Sequence, residues 1–287
     1  MKQYDVSIII ATHTTKEITE SCLQSLKEDE SLLLREYIII DNASTDDTKA
    51  MVERILPNAV YIYNKDNLGY AKANNQGMRL AKGKYILLLN SDTEVKPHTI
   101  DQMVEFMNTD KKIGVSTCFV QLSDGSIDPA CHRGFPTPWA AFTYFSGLER
   151  IFPKMKWASH YHEWYKDMKK PHEIDCPTGA FWLMRKEVVE TVGLLDEQFF
   201  MYGEDIDYAY RIKQKGWTIW FNPVVRILHK KKMSGRSHSE KEKRRRMNGY
   251  FYDTMKLFYQ KHYEKKYGWL VSQIMYLAIS IKKILGR

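Results

Sequence analysis

The chain has 287 residues, 44% of them hydrophobic, with a mean hydropathy of −0.47, which is enough apolar material for a sizeable core. That composition excludes a disordered chain, a collagen-like chain and a disulfide scaffold. The formal charge of +8 is uneven: from Arg226 to the end, 17 Lys+Arg face 4 Asp+Glu, so a basic tail follows an acidic body.

Val6 to Ile10 is a short β-branched apolar run of the kind found in buried parallel strands. Tyr37 to Ile40 is a second and ends at Asp41; Val60 to Tyr63 is a third; Tyr85 to Leu89 is a fourth and ends at Asn90. Helical patterns alternate with them over Glu17–Lys27, Asp46–Ile55 and Tyr70–Ala81, with Ser44 and Thr45 as helix-start chemistry. This βαβ order predicts an α/β fold with a doubly wound, mostly parallel sheet and ligands beyond the carboxyl ends of its strands. Thr12, Asp41, Asn67 and Asp92 stand at those ends.

After Pro97 the pattern gives a helix to about Asn108 and a strand near Val115–Leu122. Residues 130–175 read as an irregular, aromatic-rich loop, and loops of that length are usually functional. A strand returns at Ala180–Met184, a helix follows Gly203, and strands lie near Trp217–Phe221 and Val225–Leu228. Ser239–Tyr263 reads as a long basic helix. Trp269–Ile281 is apolar and flanked by Lys265, Lys266, Lys282 and Lys283, the composition of a helix lying in a membrane interface, with self-packing or dimerisation as the alternative. The four cysteines form no close pair and read as reduced thiols. The first residues show no signal-peptide pattern, so the expectation is a cytoplasmic protein, peripheral at the inner face of the cell membrane.

Four segments carry candidate chemistry. Asp41 can accept hydrogen bonds from a base or ribose, although by itself it is equally a turn residue. In Asn67–Gly77, Gly69 permits a tight turn before a helix whose N-terminus suits phosphate. In Asn90-Ser91-Asp92, a buried strand delivers a carboxylate to the sheet edge. Mg²⁺ and Mn²⁺ prefer such oxygen ligands, completed by substrate phosphates. In Tyr202–Asp207, Glu204 and Asp205 open a helix; either they are N-terminal acids favoured by its dipole, or Asp205 removes a proton from an acceptor hydroxyl while Glu204 orients it.

These four segments, in this order, resemble glycosyltransferase family 2, the inverting enzymes of GT-A fold, over about residues 4–235. The matching stretches are Asn67–Gly77, Asn90–Val95, Thr178-Gly179-Ala180 and Tyr202–Asp207 with Gly216-Trp217, and their detail is similar to a rhamnosyltransferase-like branch. The resemblance implies a GT-A domain over 1–235, divided into a nucleotide-binding half (1–96) and an acceptor half (97–235), with a basic helical extension over 236–287. It implies nucleotide contacts from Thr12, Asp41, Asn67, Gly69, Lys72 and Asn90, and sugar contacts from Thr178, Gly179 and Trp182. It further implies Asp205 as base, and Ser234 and Arg236 in a loop over the diphosphate. A divalent metal, Mg²⁺ or Mn²⁺, would be held by Asp92, with His229 either ligating it or contacting the diphosphate. Asn90 replaces the first acid of the family's Asp-x-Asp motif, which leaves one firm carboxylate there. The implied reaction moves a sugar from a dTDP-rhamnose or UDP-sugar donor to a glycan or lipid-linked acceptor. The implied partners are that acceptor, an anionic membrane surface through 265–287 and a homodimer through the C-terminal helices, with nucleic acid disfavoured.

Nucleotidyl transfer and Rossmann redox chemistry both fail at one place: the loop Ala11-Thr12-His13-Thr14-Thr15 has no glycine. A basic membrane-surface or nucleic-acid adaptor on an inactive scaffold accounts for the tail but leaves Asp92 and Asp205 without a role.

Overall fold

The computed structural model describes residues 3–230 and 238–285. Among the described residues, nine strands, numbered in chain order, form one mixed sheet in the order β3-β2-β1-β4-β8-β6-β9-β5, with β7 also pairing β9. Its first half is the expected alternation. Parallel strands β1 (Val6–Thr12), β2 (Arg35–Asn42), β3 (Val60–Asn64) and β4 (Tyr85–Leu89) are linked by α1 (Lys16–Glu28), α2 (Thr48–Ile55) and α3 (Tyr70–Leu80). Helices on both faces leave Ile8, Ile9, Ile10, Ile38, Ile39, Ile40 and Leu87 with no exposed surface. Each fully buried side chain of this kind contributes roughly 1.5–3 kcal/mol to the hydrophobic term.

The parallel run stops at β4. Strand β8 (Phe181–Arg185) lies antiparallel beside it, pairing Leu89 with Phe181, so the start of β8 sits at the end of β4. That reversal carries Thr178 and Gly179 to the edge reached by Asn90 and Asp92. Strand β6 (Ile113–Leu122) continues the sheet antiparallel to β8, after α4 (Thr99–Asn108). Strand β9 (Thr218–His229) runs parallel to β6, and the short β5 (Thr93–Val95) pairs antiparallel with it, setting His229 opposite Thr93.

The two strands expected at 217–221 and 225–228 are one strand, with a register shift opposite Cys118/Phe119 where Pro223 interrupts the ladder. The 130–175 stretch is also more ordered than expected. It holds α5 (Pro138–Phe145), α6 (Leu148–Ile151) and β7 (His172–Ile174), which pairs antiparallel with β9. All four cysteines are buried free thiols.

After α7 (Lys186–Val192), Tyr202 and Gly203 both adopt positive φ, 69° and 80°, and turn the chain into α8 (Glu204–Gln214). A tyrosine rarely adopts this conformation, so the turn that presents the two acids is a strained one. The C-terminal helices α9 (His238–His262) and α10 (Glu264–Leu285, kinked at Gly268) close against α8. Their junction is a second small core of Phe199, Phe258, Tyr259 and Tyr263, packed by Ile206 and Tyr210.

Candidate active site

Register brings the strand-end residues together: Thr12 pairs with Asp41, and Asp41 with Tyr63. Both polar groups are drawn inward. The Thr12 hydroxyl shares hydrogen bonds with Thr19 at 2.9 Å and Thr15 at 3.1 Å, fixing the start of α1. Asp41 is buried; it accepts from the Ser44 N–H at 2.7 Å and from the Tyr61 hydroxyl. Burial, then that hydrogen bond, hold the Tyr61 phenol well above its ordinary range. Asp41 therefore shapes the 43–47 turn from beneath. Ser44 serves this turn through the Thr14 N–H, which it accepts at 2.8 Å, and α2 starts later than expected, at Thr48.

Asn67 also has its side-chain oxygen committed, accepting from Asn42 at 2.9 Å and the Gly69 N–H at 3.0 Å. Gly69 has φ 82°, and a Cβ there would stand 2.4 Å from the Phe200 carbonyl oxygen. The Tyr70 N–H donates to that same carbonyl at 2.9 Å, which ties the start of α3 to the segment leading into α8. Lys72 is exposed on α3, and its charge acts on Glu197.

At the end of β4, the Asn90 carbonyl accepts from the Thr93 hydroxyl at 2.7 Å, a tight turn that leaves Asp92 partly exposed. His229 Nε2 lies 3.0 Å from Asp92 Oδ1, and its Nδ1 lies 3.5 Å from Asp128 Oδ2. The Lys230 N–H donates to the Asp92 carbonyl at 2.8 Å. No group of three or more His, Cys, Asp and Glu that could hold a metal occurs among the described residues. The pair Asp92–His229 nevertheless fits a divalent cation as a two-donor set, because such ions commonly take one or two carboxylates and complete their shell with substrate phosphates. Ser234 and Arg236 lie outside the described residues.

Opposite this edge, Asp205 is clamped. Arg133 Nη2 donates to Asp205 Oδ2 at 2.6 Å and to the Pro177 carbonyl at 2.9 Å, while the Ile206 N–H donates to Asp205 Oδ1 at 2.8 Å. Glu204 is buried, and its Oε2 has no hydrogen-bond partner among the described residues. Burial first, and the neighbouring Asp205 charge second, push the Glu204 carboxyl up to about 8. The two adjacent acids are thus unlike: one paired with a guanidinium, the other favouring its neutral form at pH 7.

Tyr70 joins the halves of the site. Its hydroxyl donates to the Gly179 carbonyl at 3.0 Å. Burial raises its pKa strongly, and the charges of Glu204, Asp205 and Asp92 raise it further, so carboxylates from two distant segments act on one hydroxyl. Thr178 is nearly buried. Its carbonyl accepts from the Trp182 indole N–H at 2.8 Å, and Trp182, 2% exposed, stacks on Tyr208 at 5.9 Å. Trp182 thus supports the 178–179 turn from within the core. Arg133 and Tyr70 were not foreseen; the sole sequence signal for Arg133 is a cation set in the run Cys131-His132-Arg133-Gly134-Phe135.

A sequence profile described as glycosyl transferase family 2 matches residues 7–193. The chain is 26% identical over 207 residues to the N-acetylglucosaminyl-diphospho-decaprenol L-rhamnosyltransferase of Mycobacterium tuberculosis, covering 68% of this chain and 66% of that one. It is 25% identical over 225 residues to the poly-beta-1,6-N-acetyl-D-glucosamine synthase of Staphylococcus aureus, covering 77% of this chain and 48% of that one. The fold is shared with the mannosyltransferase PcManGT from Pyrobaculum calidifontis, solved with GDP-Man and Mn²⁺: TM-score 0.59, 15% identity, 100% of this chain and 77% of that one. It is likewise shared with S. aureus TarS 1-349: TM-score 0.58, 15% identity, 88% of this chain and 64% of that one. With this GT-A architecture and a profile match spanning more than half its length, the chain belongs to glycosyl transferase family 2, and its relatives include a rhamnosyltransferase.

Proposed function

We propose that this chain transfers a sugar, with inversion, from a nucleotide-diphosphate donor to a hydroxyl of a glycan or lipid-linked acceptor in cell-surface polysaccharide synthesis. The observation that carries the reading is the meeting of segments around Tyr70: its hydroxyl donates to the Gly179 carbonyl, its N–H to the Phe200 carbonyl ahead of α8, and the Asn90 N–H at the end of β4 to the Ala180 carbonyl, which brings the segments of Asp92 and Glu204–Asp205 to one site. A site with acids on two sides suits a reaction in which charge leaves on one side and a proton leaves on the other.

Asp205, oriented by Arg133, accepts the proton of the acceptor hydroxyl. The acceptor oxygen forms its bond to the anomeric carbon as the bond from that carbon to the diphosphate oxygen breaks. The attack comes from the face opposite the leaving group, so one displacement inverts the centre and needs no enzyme nucleophile. Glu204, neutral at pH 7, offers a hydrogen bond where a second carboxylate would repel the developing alkoxide. Asp92 and His229 would hold Mg²⁺ or Mn²⁺, which supplies charge neutralisation to the departing nucleotide diphosphate. The 43–47 turn shaped by Asp41 and the start of α3 at Gly69 form the nucleotide end.

Rhamnose on dTDP is the leading donor, from the likeness to the mycobacterial enzyme, with a UDP-sugar second. The protein acts at the inner membrane face, with α10 against the lipid. A panel of nucleotide sugars, scored by release of nucleotide diphosphate, tests the reading: turnover strongest with dTDP-rhamnose supports it, and no turnover with any donor overturns it.

A further inference from the structure

The stretch from Pro138 to Trp157 supplies nothing to the strand-end site, yet it carries the exposed aromatics of the acceptor half. Phe142 is 54% exposed, Ile151 67% and Trp157 47%, with Trp139 and Phe152 also in the open. These residues are held, not loose: the Trp139 indole N–H donates to the Trp157 carbonyl at 2.8 Å, and Phe152 lies 5.6 Å from the Trp157 ring. Between them lies an open cleft of about 770 Å³, lined by Thr137, Trp139, Met155 and Trp157 among others. Presenting large apolar groups to water in this way is costly for a soluble surface and marks an interaction site.

The C-terminal helix repeats the pattern. Leu270, Ile274, Leu277, Ile281 and Ile284 fall at alternating spacings of four and three, and all are exposed. The opposite side of α10 is packed: Ser272 and Ile279 are buried, and Tyr276 meets Tyr259 at 5.6 Å. At 22 residues and a hydropathy of 1.2, α10 is long and apolar enough to cross a membrane, but here it lies along α9 with one face outward. The two elements meet through one cation–π contact: Lys282 Nζ, near the end of α10, sits 4.9 Å above the Phe145 ring at the end of α5.

Charge distinguishes the occupants of such a face. Among residues 138–158 the one acid is Glu149, and it is turned inward to the Ser159 hydroxyl and to both the backbone and ring of His162. Arg150 and Lys156 are exposed beside the aromatics, as are Lys265 and Lys266 beside α10, where Glu264 is the one acid. Two copies meeting through this face would set cations against cations. Anionic headgroups would complement the rim while the acyl boundary takes the aromatics and the α10 stripe.

We propose that α5, α6 and the turn to Trp157 form, together with α10, one continuous seat for an anionic lipid bilayer. The acceptor half is then itself a membrane contact and is not merely tethered by the tail. The inference deepens the membrane-side reading proposed above. It also orients the site, because Tyr161, just past Trp157, packs against Arg133, the residue that holds Asp205.

The test uses the full chain and vesicles of phosphatidylglycerol and phosphatidylcholine, in sedimentation without donor or acceptor, so its outcome is separate from that of the donor panel. Phe142→Ser with Ile151→Ser should lower vesicle partitioning about tenfold while α10 is intact. The thermal unfolding midpoint should be unchanged, which shows the variant is folded. In a Trp269→Phe protein, lipids brominated near the headgroup should still quench tryptophan fluorescence, through Trp139 and Trp157. Partitioning equal to wild type in the double variant, quenching lost with Trp269, or equal binding to purely zwitterionic vesicles would each overturn the proposal. So would a wild-type dimer that the same substitutions dissociate.

Discussion

Asp207→Asn tests whether the C-terminal helices are fastened to the helix that carries Glu204 and Asp205. Asp207 lies one turn into α8 and is fully buried. It accepts from Arg211 Nε at 2.8 Å and Lys261 Nζ at 2.6 Å, and lies 2.7 Å from His262 Nε2, so two of its partners belong to α9. Burial would raise its pKa, but the bonds to His262 and Lys261 and the Arg211 charge outweigh this and lower it from 3.8 to about 2. At roughly 1.4 kcal/mol per pKa unit, that difference makes the ionised form worth about 2–3 kcal/mol to the folded state. The folded pKa is depressed, so the contribution is present above the unfolded value near 3.8 and is lost as pH falls toward 2. Urea unfolding at pH 7 should show Asp207→Asn less stable by about that amount, and the deficit should shrink as the pH is lowered through the same window. Coincident unfolding curves at pH 7 would refute the latch.

Gly69→Ala should destabilise by about 2–4 kcal/mol, since it combines a positive φ with a Cβ driven into the Phe200 carbonyl; an unchanged thermal midpoint would contradict the close approach. Glu204→Gln should be stabilising at alkaline pH. Because the Glu204 pKa is raised to about 8 from 4.5, wild type loses stability as pH rises through that interval, and the glutamine variant does not. Thermal midpoints of the two proteins should therefore diverge from pH 5 to pH 8, and parallel profiles would place Glu204 in solvent. Asp92→Ala, or chelation of divalent ions, should weaken nucleotide-diphosphate binding in calorimetry at least about tenfold; unchanged affinity would mean that the diphosphate is held without the Asp92–His229 pair.

The first four strands and the helices between them were legible because their signals are local. Runs such as Ile8-Ile9-Ile10 and Leu87-Leu88-Leu89 declare buried strands, and the strand-helix alternation declares their parallel order. Strands β5 and β7, three residues each, were not legible, since pairing with β9 defines them and no periodicity does. The break expected at Asn222-Pro223 was real as a ladder irregularity but not as a strand end. Among site residues, the sequence singled out the strand-end acids and, through the family resemblance, set His229 with Asp92, which it lies 3.0 Å from. It missed Arg133, which is 72 residues from Asp205, so only the fold makes those two neighbours. Thr12, Asp41 and Asn67 have polar side chains that the neighbouring loops engage, and nothing local in their sequence shows whether a polar group points outward or into such a network.

The most direct measurement is on Asp205→Asn, with sugar transfer and nucleotide-diphosphate affinity determined on the same preparation. The isosteric amide keeps the Arg133 contact sterically but removes the proton acceptor. Transfer should fall by at least about a hundredfold with nucleotide affinity unchanged. Transfer at the wild-type rate would contradict the assignment of Asp205 as the base.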